Sequence, residues 1–397
     1  MKLIHRNKRI RESCEVDKIF DIKAAEESLS FHKSIPGYRQ TDLVELKGLA
    51  KKLGIGALNV KDESTRFKLN SFKGLGGSRC VAQYMSQYLG MTSEKLDFVK
   101  LCEASAKVPN NLTFCSATDG NHGHGIAWAC KELGQKCVIF LPAGSTEERV
   151  RTIQNLGAQT FVTDKNYDGT YEIAKAAAEK NGWVFVQDTD NGEESETVAI
   201  IMKGYLTLAL ETLRQLGDSV PTHIFLQAGC GSFAGAMAAF FCNYYKDKAP
   251  KILIAEADNA ACVFKTAEKD NGELQVVEGD LRTIMAGLSC GVPCRLGWDI
   301  LEQHAEWFAA LPDYLAAEAM RTLARPIDGD KPIVAGESGA AGVAALIEIM
   351  TDPRFEKQRQ AMGLDENAKV LCISTEGDTD KANYQRIMEG AYPRQEA

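Results

Sequence analysis

The sequence predicts an α/β fold of two open, twisted αβ units with mainly parallel sheets. Short continuous apolar strands alternate with amphipathic helices from about residue 112 to residue 187, as in parallel sheets covered by helices on both faces. The same alternation returns after about residue 200, and 397 residues suffice for two sizeable cores. Residues 1–80 together with 189–397 are expected to form the larger unit, and residues 81–188 the smaller one.

Residues 1–40 carry short helical patterns and are expected to wrap an edge of the larger unit. Thr41 to Leu53 places Leu43, Leu46, Leu49 and Leu53 at helical spacing. Ala57 to Lys61 reads as a short strand ending in the polar run Asp62-Glu63-Ser64. Residues 72–89 read as a helix and 94–110 as a charged connection. Strand candidates follow at Leu112–Cys115, Cys137–Leu141, Thr160–Val162 and Trp183–Gln187, separated by helices at Gly123–Leu133, Thr146–Leu156 and Tyr171–Asn181. A helix from Ile200 to Leu216 leads to the strand His223–Gln227, a glycine loop, a helix from Ala234 to Tyr245 and the strand Lys251–Ala255. An irregular region runs to Leu288, and helices at 313–324 and 339–350 precede a last strand, Lys369–Ile373.

Composition excludes several classes. With 45% hydrophobic and 25% charged residues, the chain is an ordinary globular protein. A net charge of -8 disfavours nucleic acid and anionic membranes as partners, and no basic tract interleaved with aromatics occurs. No long apolar run appears, and Met1 to Cys14 lacks an apolar signal core, so a cytoplasmic protein with no membrane partner is expected. Twelve irregularly spaced cysteines without a Cys-x-x-Cys argue against a disulfide scaffold or structural zinc and for mostly reduced thiols. Cys262, Cys290 and Cys294 read as buried free thiols, with pairing under oxidation the alternative.

Three loops carry the candidate chemistry. In Asn70-Ser71-Phe72-Lys73-Gly74-Leu75-Gly76-Gly77, one lysine stands between an aromatic residue and three glycines. Burial disfavours an ammonium, so a lysine in such a pocket is expected to have a lowered pKa and to form a Schiff base with an aldehyde. The functional reading is a lysine that carries pyridoxal phosphate; the other is a helix start whose lysine points to water.

Gly229-Cys230-Gly231-Ser232-Phe233-Ala234-Gly235 lies between a strand and a helix, where backbone amides and a helix dipole favour a phosphate. Glu256, at the end of the next strand, raises a dinucleotide reading and with it an NAD(P)-binding oxidoreductase. The spacing G-x-G-x-x-x-G argues against that reading, and no Walker lysine follows. The third loop is Ser116-Ala117-Thr118-Asp119-Gly120-Asn121-His122-Gly123. Its amides and the side chains of Ser116, Thr118 and Asn121 suit a substrate carboxylate; Asp119 is either a helix cap or an acid/base group. His122 and His124 read as helix-face residues without a catalytic role.

In this order, the Asn-x-Phe-Lys lysine, the Ser-Ala-x-x-Gly-Asn-His-Gly loop and the late Gly-x-Gly-Ser loop resemble fold-type II pyridoxal-phosphate enzymes, the tryptophan synthase β and threonine dehydratase group. Within it the chain is most similar to the diaminopropionate ammonia-lyases. That likeness rests on Phe31-His32-Lys33-Ser34, Val60 to Ser64, Ala117 to Gly123, Val186-Gln187-Asp188-Thr189, Thr283 to Leu288 and Ser374 to Asp380. One departure is the acidic run Asp190 to Glu196, where the family carries an aromatic-rich segment.

The resemblance implies a pyridoxal 5'-phosphate enzyme that eliminates ammonia from a small amino acid, 2,3-diaminopropionate; its rivals are a serine or threonine dehydratase and a β-replacement synthase. Lys73 would bear the cofactor and act as base for the L-isomer. Gly229, Cys230, Gly231, Ser232 and Phe233 would hold the phosphate, Asn121 would lie on the ring 3-hydroxyl, and Ser374 would meet the pyridine nitrogen, with Thr375 and Thr379 as rivals. Ser116, Ala117, Thr118 and Asp119 would bind substrate, Asp119 serving also as base for the D-isomer. Asp188 would bind the distal ammonium. A homodimer is expected from the resemblance and from the prevalence of twofold assemblies.

Overall fold

The computed structural model describes residues 1–7, 16–92, 95–108, 111–118, 120–190 and 195–394, except for the side chains of residues 16 and 17. Strand β1 (Lys2–His5) and helix α1 (Ile22–Lys33) precede β2 (Leu43–Glu45), α2 (Lys47–Leu53), β3 (Ala57–Asp62), α3 (Lys73–Tyr88) and α4 (Phe98–Ser105). A regular alternation follows: β4 (Thr113–Ala117), α5 (Asn121–Glu132), β5 (Lys136–Leu141), α6 (Glu147–Gln154), β6 (Gln159–Val162), α7 (Tyr167–Asn181) and β7 (Val184–Phe185). The long α8 (Glu196–Leu216) leads to β8 (His223–Gln227), α9 (Ser232–Tyr245), β9 (Lys251–Ala257), α10 (Cys262–Lys269), α11 (Arg295–His304) and β10 (Ala305–Leu311). The remaining elements are α12 (Asp313–Ala324), α13 (Ala341–Thr351), α14 (Glu356–Met362), β11 (Lys369–Ser374) and α15 (Lys381–Met388).

Seven strands form one sheet in the order β1-β10-β9-β8-β11-β3-β2, with β1 and β2 antiparallel to their neighbours and the rest parallel. Four parallel strands form the second, β6-β5-β4-β7. A parallel strand covered on both faces needs apolar side chains at successive positions. In β8, Ile224 and Leu226 pack with α8 and α9, and Phe225 between them packs with α12 and α13 on the opposite face. In the smaller sheet, Cys115, Ala117, Val138 and Phe140 meet Tyr171, Ala174 and Ala178 of α7. Helix starts follow their side-chain caps: Asp97, Thr146, Asn166 and Asp380 each accept a first-turn amide of α4, α6, α7 and α15.

The α/β reading of the sequence agrees with both sheets, and several local readings do not. The leucines of 43–53 lie on a strand and then a helix, because Leu43 to Glu45 pairs with Asn59 to Lys61 of β3. The charged connection contains α4, whose Phe98 and Leu101 are buried under a charged exterior. The irregular region after β9 contains α10, and β10 runs through Ala305-Glu306-Trp307-Phe308-Ala309-Ala310, an alanine-rich stretch held as strand by its pairing with β9. β7 is shorter than expected, two residues long.

The loops that follow β3, β4, β8 and β11 lie at the carboxyl ends of parallel strands, the edge where open α/β sheets bind ligands. All three motif loops are among them.

Candidate active site

Lys73 ends a stretch that is anchored at both ends. After β3, the Glu63 amide donates to Ser374 O (2.9 Å), and the buried Arg66 lies between the carboxylates of Glu63 and Glu211 at 2.8 and 2.7 Å. The backbone is then left-handed at Phe67, Lys68 and Asn70, with φ of 51°, 61° and 60°. Non-glycine residues hold that conformation only where the surroundings enforce it. Here the loop after β11 does so: Phe72 N donates to Thr375 O (3.0 Å), Gly377 N to Asn70 O (3.0 Å), and Ser71 forms a bridge with Glu376. Lys73 opens α3, and its amine faces a cleft.

There the Lys73 ammonium pairs with the Asp188 carboxylate. Burial pulls the ammonium toward neutrality, but the negative charge of Asp188 more than offsets it, so Lys73 holds its proton more tightly than an ordinary lysine. The expectation of a lowered pKa from burial alone is thus overturned. Burial also opposes the Asp188 charge, yet the Lys73 ammonium, through its charge and its hydrogen bond, outweighs it and holds that carboxyl below the usual carboxylate range.

His122, in the first turn of α5, places Nδ1 3.7 Å from Asp188 Oδ2, and Nδ1 has no hydrogen-bond partner among the described residues. Its Nε2 lies 3.1 Å from Val186 O. A carbonyl only accepts, so Nε2 carries the proton and Nδ1 a lone pair; burial lowers the pKa and keeps the ring neutral. Lys73, Thr118, His122, Tyr167, Asp188 and Cys230 line one cavity. The helix-face reading of His122 missed this placement; its position one residue past the ligand-loop asparagine was the available signal.

A second cavity shares Lys73 and Cys230 and is lined by Phe72, Asn121, Gln227 and Gly229 to Phe233. Gly231 is left-handed (φ 99°) and no side chain caps α9, which leaves the first-turn amides for an anion. The buried Gln227 Oε1 lacks a partner among the described residues. An amine beside an uncapped helix start, with Phe72 and Leu288 as apolar walls, fits a phosphate-bearing aromatic aldehyde such as pyridoxal phosphate. Glu256 is engaged elsewhere, its carboxylate accepting Val263 N (2.9 Å) and Phe264 N (2.6 Å) at the start of α10, deep in the core. That removes the residue on which the dinucleotide reading leaned.

The remaining sequence-predicted residues divide. Asn121 lines the second cavity, and its Nδ2 donates to Glu376. Thr118 Oγ1 accepts the amides of Gly120 (2.9 Å) and Gly123 (3.0 Å), shaping the loop. Ser116 Oγ and Ala117 N both donate to Gln187 Oε1, at 2.8 and 3.1 Å. Ser374 Oγ donates to Glu376 O (3.3 Å) and does not line the cavity, whereas Thr375 and Glu376 do. Asp119 lies outside the described residues, as do 191–194 of the acidic run. Asp190 turns inward, accepting Arg295 N at 2.8 Å. Cys262, Cys290 and Cys294 are buried free thiols. Gln227 ends β8, Glu376 follows β11 and Ser338 precedes α13; they escaped the sequence reading because only the fold brings the three to one cleft.

Residues 35–376 match the family model described as pyridoxal-phosphate dependent enzyme. The diaminopropionate ammonia-lyase of Salmonella typhimurium is 42% identical over 367 residues, covering 91% of each chain. The holo diaminopropionate ammonia lyase of Escherichia coli superposes with a TM-score of 0.91 at 38% identity, over 99% of this chain and 97% of that one. The same enzyme in complex with D-serine superposes at 0.90, with 38% identity over 98% and 97%. Such likeness over nearly the whole length, with the lysine, the asparagine loop and the glycine cradle all at one cleft, makes this chain a member of the pyridoxal-phosphate-dependent enzymes and, among them, of the diaminopropionate ammonia-lyase family.

Proposed function

We propose that the chain eliminates ammonia from 2,3-diaminopropionate, giving pyruvate and two ammonia. When bound, pyridoxal phosphate supplies an electron sink for the breaking Cα–H bond. The protein's own residues do the rest. The amides of Gly229 to Phe233 would hold the phosphate at the start of α9, and Asn121 would lie on the ring. Lys73 Nζ, in the uncharged form it would have beside the loaded cofactor, would take the Cα proton of the L-isomer, and Asp119 that of the D-isomer.

Asp188 supplies the observation that carries this reading. Its buried carboxylate, 4% exposed, pairs with Lys73 and sits beside the His122 lone pair. A group held anionic there binds the substrate's distal ammonium and keeps it protonated. An ammonium departs as neutral ammonia, whereas an amine would have to depart as a strongly basic amide ion. Aminoacrylate then leaves and hydrolyses to pyruvate with the second ammonia. A dehydratase acting on a hydroxyl needs no such anion.

The division into 1–80 with 189–397 and 81–188, a homodimer and a cytoplasmic location belong to the same proposal. The first is supported by the placement of all strands between 113 and 185 in the smaller sheet. Among the described residues no helix is long and apolar enough to cross a membrane.

The test is a substrate panel scored for pyruvate with wild type and Asp188→Asn. Wild type should prefer 2,3-diaminopropionate to serine and threonine, and the variant should lose roughly 10²-fold or more on diaminopropionate while losing less on serine. Equal losses on both substrates would remove Asp188 from ammonium recognition.

A further inference from the structure

We propose that Glu376 is a positioning residue, its carboxylate determining which atoms Asn121 turns toward the cofactor. This rests on the reading above in which Asn121 faces the ring. Glu376 is 5% exposed and lines the cofactor cavity with Lys73 and Asn121. One of its oxygens accepts from Asn121 Nδ2, and the other accepts Ser338 N at 3.0 Å. It therefore joins the first residue of α5, next to the smaller sheet, to the loop before α13, next to the larger one.

The chemistry of the acceptor gives the contact its consequence. An asparagine amide can turn over, exchanging its carbonyl for its NH2 with almost no change of shape. An ionised carboxylate accepts and never donates, so only the orientation with Nδ2 toward Glu376 is satisfied. Asn121 Oδ1 and its second N–H are then committed to the cleft. Glu376 is itself held: its carbonyl accepts Gly336 N (2.9 Å) and Ser374 Oγ (3.3 Å). A Cβ at Gly336 would collide with Gly377 O and fall 2.9 Å from Glu376 Cγ and 3.1 Å from Cδ, so the loop that carries Glu376 and its side chain both pack directly on this glycine. Glutamine is nearly isosteric but carries a single acceptor. With that oxygen on Ser338 N, its NH2 faces Asn121, which must turn over and present Oδ1 to it, reversing the atoms turned toward the cofactor.

The experiment uses apoenzyme reconstituted with pyridoxal phosphate, comparing wild type, Glu376→Gln, Asn121→Ala and the double variant. Two readouts are taken: the cofactor dissociation constant from protein fluorescence, and the visible circular dichroism of the bound cofactor, which reports how the ring is held. Glu376→Gln should weaken cofactor binding about tenfold, as for one hydrogen bond to a charged group, and should reduce the visible dichroism. The double variant should bind no more weakly than Asn121→Ala alone, because the carboxylate acts through the asparagine. Additive losses, or wild-type affinity and dichroism in Glu376→Gln, would overturn the inference. Where Glu376→Gln fails to fold, Glu376→Asp takes its place: it keeps the charge one methylene short of Asn121, and wild-type readouts in it overturn the inference equally. If Asn121→Ala itself leaves both readouts at wild type, the placement of Asn121 against the ring fails, and the inference with it.

Discussion

Gly125 of α5 lies directly on the backbone of Gly74 in α3. A Cβ built on Gly125 would fall 3.0 Å from Gly74 Cα, Gly74 N and Lys73 O, closer than side-chain carbons pack. The helix carrying Asn121 and His122 thereby rests on the helix that begins with Lys73. Gly125→Ala should force the two apart, costing about 1–3 kcal/mol and displacing the lysine. Thermal unfolding and the visible absorbance of the bound cofactor would both register it; an unchanged melting temperature would mean that the helices separate freely.

Glu211 ties the loop before Lys73 to α8. It accepts from Lys61 Nζ at 2.8 Å, Arg66 Nη1 at 2.9 Å and Tyr38 Oη at 2.6 Å. Burial opposes its charge, but Arg66 and Lys61 prevail and bring the carboxyl from 4.5 down to about 2. A depressed carboxyl gives stability that is present above its unfolded value and is lost as pH falls through the folded one. Glu211→Gln leaves two buried cations short of an anion and should cost roughly 3–5 kcal/mol at neutral pH. Denaturant titration should also show a shallower loss of stability between pH 4.5 and about 2 in the variant.

Glu337 has the opposite sign. Burial, and then the neighbouring Glu376 charge, push its carboxyl up from 4.5 to about 7. The folded state binds this proton more tightly than the unfolded chain. Its stabilising effect is therefore complete below 4.5 and disappears as pH rises through about 7. Glu337→Gln, which can still accept from Asn383, should be more stable than wild type at alkaline pH by ~2–3 kcal/mol and should flatten the intervening slope. Equal slopes in a pH series of unfolding curves would show that Glu337 does not titrate there.

Two kinds of hold on the cofactor should separate cleanly. Among the described residues, Lys73 provides the only amine lining the phosphate cavity, so in Lys73→Ala activity and the cofactor's imine absorbance should both vanish while the phosphate cradle persists. Gly231→Ala leaves the amine but strains a backbone with φ of 99°. That strain is of order 1–3 kcal/mol, and the variant should bind the cofactor about tenfold or more weakly with its absorbance maximum unmoved. Equilibrium dialysis and absorbance spectra distinguish the two.

The chemistry of this cleft was unevenly legible in the sequence. Lys73, Asn121 and the 229–233 cradle sit in loops whose glycines and small residues mark strand-to-helix turns, and such turns are local. The α/β alternation was legible for the same reason, since β5, β8, β9 and β11 are continuous apolar runs. What was not legible depends on contacts across the fold. β10, for which the sequence suggested no element, is a strand through pairing with β9. The raised proton affinity of Lys73 comes from Asp188, 115 positions away. Glu376 meets Asn121 across 255 positions, a relationship no local pattern encodes.

The run between Arg66 and Lys73 is pinned by an ion-paired guanidinium at one end and by the Phe72 and Gly377 amides at the other. Inside it Leu69 and Phe72 are buried and Asn70 Nδ2 donates to Asp378 at 2.9 Å, so its side chains are engaged and its length is fixed by the two anchors. Adding or deleting one residue would break the spacing between those two anchors and shift the amine at the start of α3 relative to the cleft. Along this segment, therefore, an insertion or deletion cannot be absorbed locally and is passed on to the catalytic amine.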